Sequence, residues 1–261
     1  MKDILRGKTA LITGASSGMG TDFARQFAAL GCSLILVARR EERLRELQAE
    51  ISAQYGVPVD FMAADLSEEN APQRLHDQLK EAGRSVDVLV NNAGLGLYGR
   101  FWTTPWERMC LMLKVDVMAL TQLTRLFAAD MVERDFGYIL LVGSTGSFQP
   151  TPTYAAYAAA KSYVLSLGEA LHYELRGSGV RCTVLCPGVT RTEFFVVSGQ
   201  QMTPFQRSTA MESADVVRIG IKALLRGRSS VVPGGLNALF AWGTRLLPRQ
   251  VLAAVAARLM K

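Results

Sequence analysis

The chain has 261 residues and a formal net charge of +6, with 49% hydrophobic and 20% charged residues. These values suit one large α/β domain and exclude wholesale disorder. The longest uncharged apolar stretch near the C-terminus, residues 231–244, is too short to span a bilayer. Because the N-terminus lacks signal-peptide features and the four cysteines lack paired spacing, we expect a cytoplasmic protein with reduced thiols.

Short β-branched runs alternate with helical stretches, which is typical of a parallel sheet covered on both faces. Strands are predicted at residues 9–13, 33–38, 57–63, 86–91, 138–142, 181–186 and 230–232. Helices are predicted at residues 19–30, 41–55, 68–82, 105–133, 153–176 and 215–226. We therefore predict a single-domain α/β Rossmann fold over residues 1–235, with a doubly wound sheet of about seven strands. Residues 236–261 are predicted to form an apolar and basic helical extension of this domain.

A glycine-rich turn connects the first predicted strand to the first predicted helix. Its glycines permit positive φ and close backbone approach, and the helix N-terminus offers free N–H groups to a pyrophosphate. Glycine patterns alone are weak, but this position in an alternating α/β chain strengthens the signal. We assign cofactor binding to Gly14, Ser16, Ser17, Gly18, Met19 and Gly20.

The end of the second predicted strand indicates which dinucleotide is bound. An NAD-type site places an acid there to hold the ribose 2′-hydroxyl, but this chain has Ala38. Arg39 and Arg40 follow, and their charge suits a 2′-phosphate, although both also suit an exposed helix start. The pattern favours NADP(H), with Arg39 as the stronger candidate. Asp65, followed by Leu66, is expected at the adenine or as the N-cap of the next helix.

Two further segments lie where parallel strands end, which is where such sheets bind ligands. Asn91, Ala93 and Gly94 end the fourth strand, and we expect them beneath the cofactor. Ser144 follows the fifth strand, and its hydroxyl can hydrogen-bond a substrate oxygen. On chemistry alone, Thr145 and Ser147 remain alternatives to Ser144.

Tyr157 and Lys161 stand four residues apart, so they share one face of the predicted helix. A nearby ammonium favours the phenolate and lowers the pKa of a tyrosine. Such a phenol can deliver or remove the proton of a C–O–H group during a redox step. The pair alone is also compatible with an ordinary exposed helix face.

Together, the patterns TGxxxGxG, NNAG, a serine thirteen residues before YxxxK, and PGVTRT resemble the short-chain dehydrogenase/reductase family over residues 7 to 232. This resemblance implies nicotinamide-dependent interconversion of a carbonyl and an alcohol. It implies that Tyr157 is the acid/base, that Ser144 orients the substrate oxygen, and that Lys161 tunes Tyr157 and holds the nicotinamide ribose. It also implies contacts with the nicotinamide from the turn at Pro187, Gly188 and Val189, and it places Thr192 near the nicotinamide amide or the pyrophosphate.

One position departs from the family pattern. Many members carry an asparagine in the long fourth helix, where it anchors a water that links the lysine to solvent. Asp116 takes that place here, so the acceptor is kept and the amide donor is lost. An ionised Asp116 would pair with Lys161 and change the proton relay, so we count it among the catalytic residues.

The substrate is expected to be a hydrophobic ketone or aldehyde. Residues 95–102, 148–154 and 189–211 are predicted to line the cleft, the last as a mobile lid. They carry the apolar and aromatic side chains Leu97, Tyr98, Phe101, Trp102, Phe148, Phe194, Phe195, Met202 and Phe205. The rival hypothesis is a catalytically silent NADP(H)-binding sensor, which would not need the serine, tyrosine and lysine together. No metal site is expected, because His76 and His172 lack ligand neighbours.

The C-terminal region suggests further partners. Residues 201–261 carry nine Lys and Arg but only two acids, so a peripheral contact with a membrane surface competes with an ordinary solvated face. Scattered basic residues without interleaved aromatics argue against nucleic acid. The family resemblance implies a homo-oligomer, a dimer or tetramer, built on the fourth and fifth helices.

Overall fold

The computed structural model describes residues 4–259, except for the side chains of Val196, Phe205 and Leu259. Within that range the strands are β1 (Thr9–Thr13), β2 (Ser33–Ala38), β3 (Val59–Ala63), β4 (Val88–Asn91), β5 (Gly137–Val142), β6 (Val180–Leu185), β7 (Thr190–Arg191), β8 (Met211–Glu212) and β9 (Ser230–Val231). The helices are α1 (Met19–Ala29), α2 (Glu41–Tyr55), α3 (Ala71–Glu81), α4 (Trp106–Leu113), α5 (Leu120–Glu133), α6 (Ala155–Glu174), α7 (Phe194–Ser198), α8 (Pro204–Thr209), α9 (Ser213–Leu225), α10 (Gly235–Gly243) and α11 (Arg249–Leu259).

Seven of these strands form one parallel sheet in the order β3-β2-β1-β4-β5-β6-β9. The predicted doubly wound Rossmann sheet is therefore confirmed. The order of strands reverses between β1 and β4, where Ile12 pairs with Val90 on one side and Leu36 on the other. A crevice opens beyond the carboxyl ends of strands at such a reversal, and this is where the site lies.

Helices cover both faces of the sheet, which explains why its central strands are apolar almost throughout. On one face, Phe23 and Phe27 of α1 pack with Leu34 and Leu36 of β2, all fully buried. On the other face, the core is formed by side chains from α3, α5 and the strands, including Leu75, Leu89, Leu123, Phe127, Ile139 and Leu141. Both faces of the sheet are therefore packed against helices, which fixes the relative positions of the strand ends that form the site.

The helix predicted over residues 105–133 is present from Trp106 to Glu133, with an irregular turn at its centre. A π-helical turn, Lys114–Ala119, separates α4 from α5. Asp116 lies in this turn and is fully buried. Wide turns of this kind inside α-helices frequently mark functional sites. The turn is tied to the ion pair that Asp116 makes with Lys161 of α6, a tertiary contact that local periodicity does not reveal.

Residues 189–211, expected as a loop, contain short elements of their own. Strand β7 pairs with β8 at the two ends of the segment, and α7 and α8 lie between them. Thr203 caps α8, since its hydroxyl accepts from the Gln206 N–H and its own N–H donates to the Gln206 side chain. The segment thus has an ordered framework, while its closure as a lid stays a prediction.

The tail forms two helices, as predicted, while a domain boundary at residue 235 stays a prediction. Ala241 of α10 and Leu252 and Ala256 of α11 are buried, so both helices pack on the chain. Their outer surfaces leave Leu239 60% exposed and Trp242 56% exposed. Among residues 4–259, no helix is both long enough and apolar enough to cross a bilayer.

Candidate active site

Ser144, Tyr157 and Lys161 meet in a cavity of about 190 Å³ beyond the carboxyl end of β5. Ser144 follows β5 and caps a 3₁₀ turn, with its Oγ accepting from the Gly146 N–H at 3.1 Å. Helix α6 presents Tyr157 and Lys161 one turn apart. The Lys161 ammonium lies 5.7 Å from the centre of the Tyr157 ring and donates to the Val142 carbonyl at 3.0 Å. A hydroxyl, a phenol and an ammonium therefore converge on one space.

Ser147, one of the alternatives to Ser144, forms hydrogen bonds that hold neighbouring parts of the site together. Its Oγ donates to the Lys161 carbonyl at 2.7 Å and accepts from the Ser144 N–H at 3.3 Å. Ser147 is buried and does not line the cavity, whereas Ser144 and Thr145 both do. The Ser147 hydroxyl thus ties the turn after β5 to the helix that carries Tyr157.

Asp116 and Lys161 form the ion pair expected from the sequence. Asp116 Oδ2 lies 3.0 Å from Lys161 Nζ, and Oδ1 accepts from the Leu95 N–H at 2.8 Å. Burial raises the pKa of the Asp116 carboxyl, and the Lys161 charge opposes that rise. Burial by itself lowers the pKa of Lys161, but the interactions of the ammonium with Asp116, and secondarily with Tyr157, outweigh burial and raise that pKa. The lysine is therefore held as a cation.

Gly94 lies against this ion pair. A Cβ at Gly94 would come within 3.1 Å of Asp116 Oδ2 and 3.2 Å of Lys161 Nζ. Glycine therefore lets the chain after β4 pass over the pair without displacing it.

The pKa of Tyr157 is raised overall, although Lys161 lowers it as expected. Burial of the phenol is the largest cause, and the charge of Asp116 adds to it. Lys161 does lower the pKa, and so does the hydrogen bond to Ser144, but together they do not outweigh burial. Tyr157 is consequently a protonated phenol at neutral pH, which is the form that donates a proton.

The glycine-rich turn lines a second cavity, of about 300 Å³, that adjoins the first. Met19, Asn92, Gly94, Thr192 and Phe194 line both cavities. The sequence-predicted residues that line the second cavity are Gly14, Ser16, Ser17, Gly18, Met19, Arg39, Arg40, Asp65, Leu66, Ala93, Gly94 and Thr192.

Gly20 lies directly behind Gly14, a residue that lines the second cavity. It is buried and lines neither cavity, and a Cβ there would collide with the Gly14 carbonyl. Gly14 itself has a φ of 67°, a left-handed conformation that favours glycine. Gly20 therefore allows α1 to begin directly under the turn and point its N-terminus at the cavity.

Asn91 is not brought to the cleft, which corrects its assignment to cofactor binding. Its side chain is buried and donates to Thr124 Oγ1 at 2.9 Å and to the Leu120 carbonyl at 3.4 Å. Side chains alternate along a strand, so the next residue points the other way. Asn92 lines both cavities and donates to the Thr13 carbonyl at 2.9 Å.

The two arginines after β2 differ in placement. Arg40 donates from Nη2 and Nε to Ser16 Oγ, at 3.1 and 3.2 Å, so a cation and a hydroxyl meet at the cavity rim. Arg39 lies 3.7 Å from Asp65 across the same rim. Both arginines therefore lie at the rim of the second cavity, each beside an acid, and Arg40 also contacts a hydroxyl. Among the lining residues, Glu193 was missed by the sequence analysis. It pairs with Arg40 at 3.3 Å and Arg43 at 2.8 Å, and Arg43 and Arg40 lower its pKa.

Asp65 does not cap the next helix, because α3 begins at Ala71 with Asn70 as its N-cap. Asp65 Oδ1 instead accepts from the Ser67 N–H at 2.9 Å and the Ser67 hydroxyl at 2.7 Å. Burial tends to raise the pKa of Asp65, but these bonds and Arg39 bring it below its usual value. Asp65 is therefore an ionised acceptor at the second cavity.

The turn after β6 closes the other side of the first cavity, through Pro187, Gly188, Val189 and Thr192. A Cβ at Gly188 would come within 2.5 Å of Asn237 Nδ2 in α10. Glycine is thus required where the tail helix packs behind this turn.

The substrate wall combines predicted aromatic side chains with several polar ones. Phe194 and Phe195 line the first cavity as expected, and Tyr98 packs its ring 5.3 Å from Tyr154. Leu97 is buried against Met109 and Met112, and Phe148 packs on the core. Phe101 and Trp102 are exposed, Met202 does not line the cavity, and the Phe205 side chain lies outside the described residues. Two of the predicted segments, residues 148–154 and 189–211, do line the cavity, and they also contribute side chains that the sequence analysis did not name: Gln149, Thr151, Tyr154, Gln200 and Gln206.

A parallel Rossmann sheet with a glycine turn and a serine, tyrosine and lysine at its carboxyl edge defines an oxidoreductase class. The chain belongs to the short-chain dehydrogenase family, whose family model matches residues 8–226.

Individual relatives agree with this membership. A short chain dehydrogenase of Pseudocercospora fijiensis is 38% identical over 192 residues, which cover 72% of this chain and 62% of the relative. Sulfoacetaldehyde reductase 2 of Chromohalobacter salexigens is 37% identical over 220 residues, covering 80% of this chain and 85% of the relative. The solved structure of a short-chain dehydrogenase from Sphingobium yanoikuyae in complex with NADPH has 32% identity and a TM-score of 0.82, and the match covers 92% of this chain and 94% of that one.

Proposed function

We propose that this protein is an NADP(H)-dependent oxidoreductase that interconverts a carbonyl and an alcohol on a small-molecule substrate. The observation that carries the proposal is the continuity of two cavities. One holds Ser144, Tyr157 and the Asp116–Lys161 ion pair, and the other is lined by the glycine turn and Arg40. A dinucleotide lying across both would bring its nicotinamide to the phenol.

The residues of the second cavity fit NADP(H) better than NAD(H). Gly14 and Gly94 let the backbone beside this cavity pass close to Ala93 and to the Asp116–Lys161 pair, and the N-terminus of α1 faces the same cavity. Ser16 and Arg40 together offer a hydroxyl and a cation to a 2′-phosphate. Ala38 stands where an acid would hold a 2′-hydroxyl. The NADPH complex of the Sphingobium relative supports the same choice.

In the reduction direction, each residue has a defined part. The carbonyl carbon would receive its hydride from NADPH when that cofactor is bound in the two cavities. Ser144 Oγ donates a hydrogen bond to the carbonyl oxygen, and Tyr157 Oη delivers its proton to that oxygen as the alcohol forms. The Lys161 ammonium stabilises the resulting phenolate, and Asp116 keeps that ammonium in place at 3.0 Å. Solvent then returns a proton to Tyr157.

Consumption of NADPH against a panel of ketones and aldehydes tests this proposal. We expect turnover with NADPH, weaker turnover with NADH, and tight NADPH binding without substrate. Binding of NADPH with no oxidation across a wide panel would instead favour the silent sensor, which none of the named relatives supports.

We also propose that the tail contacts an anionic lipid surface. Residues 216–261 contain eight Lys and Arg and no acid. Leu239, Trp242, Leu246 and Leu247 are 49–67% exposed beside Arg245. An apolar surface flanked only by cations complements anionic headgroups. A second copy of the same face would instead set like charges against each other.

Co-sedimentation with vesicles tests the tail. We expect the full chain to bind vesicles of phosphatidylcholine mixed with phosphatidylglycerol, and not phosphatidylcholine alone. Trp242→Glu should abolish binding, while Trp102→Glu, at an exposed tryptophan outside the tail, should not. If wild type and Trp242→Glu sediment alike, this proposal is wrong.

The expected dimer or tetramer and the cytoplasmic location stay predictions. Light scattering on the full chain would test the oligomeric state.

A further inference from the structure

A hydrogen-bonded pair of buried side chains lies in the wall of the first cavity. Tyr154 is 6% exposed and Gln200 is 7% exposed, and both line the cavity together with Tyr157. Tyr154 Oη donates to Gln200 Oε1 at 2.6 Å. Neither residue takes part in the proton transfer, so the pair needs another explanation.

The pair has a fixed orientation. Burial raises the pKa of Tyr154 to about 12, so its phenol keeps its proton at neutral pH. A buried hydroxyl donates that proton to an acceptor, and Gln200 Oε1 accepts it. The amide nitrogen of Gln200 consequently faces away from the phenol.

The Gln200 amide nitrogen is left without a hydrogen-bond partner among the residues that the structure describes. Buried polar groups are nearly always paired, and an unpaired donor is costly to bury. A donor held unpaired in the wall of a substrate cavity is therefore suited to a ligand atom. Gln149 lines the same cavity but is less buried, so solvent can satisfy its amide.

The Tyr154 ring of this pair packs against Tyr157, the residue that carries the reacting hydroxyl. The centres of the Tyr154 and Tyr157 rings are 5.7 Å apart. The Phe194 ring also packs on Tyr157, with 5.5 Å between the two ring centres. Aromatic rings therefore line the cavity beside the Tyr154–Gln200 pair, and Gln200 is the residue of this wall whose buried amide N–H has no partner among the described residues.

We propose that Gln200, held by Tyr154, is a substrate-recognition residue whose amide N–H binds an acceptor oxygen on the substrate. The substrate class is an apolar skeleton that carries the reacting carbonyl at one end and a carbonyl, ester or carboxylate oxygen several bonds away. The inference rests on the proposed function, because the acceptor is placed relative to Tyr157. Tyr154 is a positioning residue, since it acts through Gln200.

A matched pair of ketones tests the inference: a decalone, and the decalindione that adds a second carbonyl to the same skeleton. For the wild type we expect KM to be about 10-fold lower for the dione, with similar kcat, the size expected for one buried hydrogen bond. Gln200→Leu should remove this preference by raising KM for the dione, and Tyr154→Phe should remove most of it. Gln78→Leu, at an exposed position of α3, should keep it.

Calorimetric binding of the same two compounds in the presence of oxidised cofactor separates recognition from chemistry. A dione preference in binding that depends on Gln200 supports the inference, even if neither compound is reduced and the proposed function fails. Equal affinity for both compounds in the wild type would overturn the inference. So would a preference that survives Gln200→Leu or is lost only in Gln149→Leu.

Discussion

Replacing Asp116 with asparagine removes one buried charge and keeps the shape of the side chain. Asp116 lies 3.0 Å from Lys161 and raises the pKa of Tyr157. Without that charge, the pKa of Tyr157 should fall. Reduction requires the protonated phenol, so activity is lost as the pH rises through this pKa. The alkaline limb of the pH profile of kcat/KM for reduction should therefore move to lower pH in Asp116→Asn.

The size of the shift follows from the geometry. Lys161 Nζ lies 3.0 Å from the Asp116 carboxylate and 5.7 Å from the centre of the Tyr157 ring. The carboxylate is therefore within about 9 Å of that ring. At an effective dielectric constant of about 20, two charges this far apart interact by about 2 kcal/mol, or a little over one pKa unit.

The assay is NADPH consumption with one fixed ketone across the pH range, for wild type and Asp116→Asn. Asp130→Asn is the matched control, because Asp130 is a partly buried acid on α5 that pairs with His76 at 2.7 Å. Its pH profile should coincide with that of the wild type. If the profile of a folded Asp116→Asn also coincides with the wild type, Asp116 is protonated and the ion-pair argument is wrong.

Three further substitutions probe other parts of the site. Ser144→Ala should lower kcat/KM about 100-fold without changing NADPH binding, since it removes one hydrogen bond to the carbonyl oxygen; an unchanged rate would favour Thr145. Arg40→Ala should raise the dissociation constant of NADPH by about 10-fold or more and leave that of NADH nearly unchanged; equal losses would argue against a 2′-phosphate site. Gly20→Ala should weaken NADPH binding and lower the free energy of unfolding by about 1–3 kcal/mol, because the new Cβ meets the Gly14 carbonyl. The control Gly235→Ala, which has open space around it, should change neither NADPH binding nor stability.

The fold was largely predictable because its signals are local and repeated. Each of the seven strands of the main sheet came within two residues of its predicted limits, since an apolar run bounded by turn residues marks a buried strand. The π turn around Asp116 was not predicted, because hydrophobic periodicity does not distinguish a single π turn from the α-helix on either side of it. Sequence alone also did not reveal β7 and β8, which are only two residues long and pair at the two ends of residues 189–211.

The site was predictable where spacing determines geometry and less so where burial does. Tyr157 and Lys161 share a face because they are one helical turn apart, and the structure places them so. The net direction of the Tyr157 pKa depends on how deeply the phenol is buried, which spacing does not report. Asn91 was predicted at the cleft, but the structure places Asn92 there, because neighbouring residues of a strand point to opposite faces of the sheet. Gln200 stood in a segment with no motif, and only its bond to Tyr154 reveals it.

The measurement that tests the central claim most directly is single-turnover reduction of a ketone by the NADPH complex of Tyr157→Phe. This variant removes one hydroxyl from the cavity and keeps the ring that packs on Tyr154 and Phe194. The account predicts that NADPH still binds and that the rate falls by about 100-fold to 10,000-fold, the usual contribution of a positioned acid. Reduction at the wild-type rate would contradict it, because the proton would then come from elsewhere.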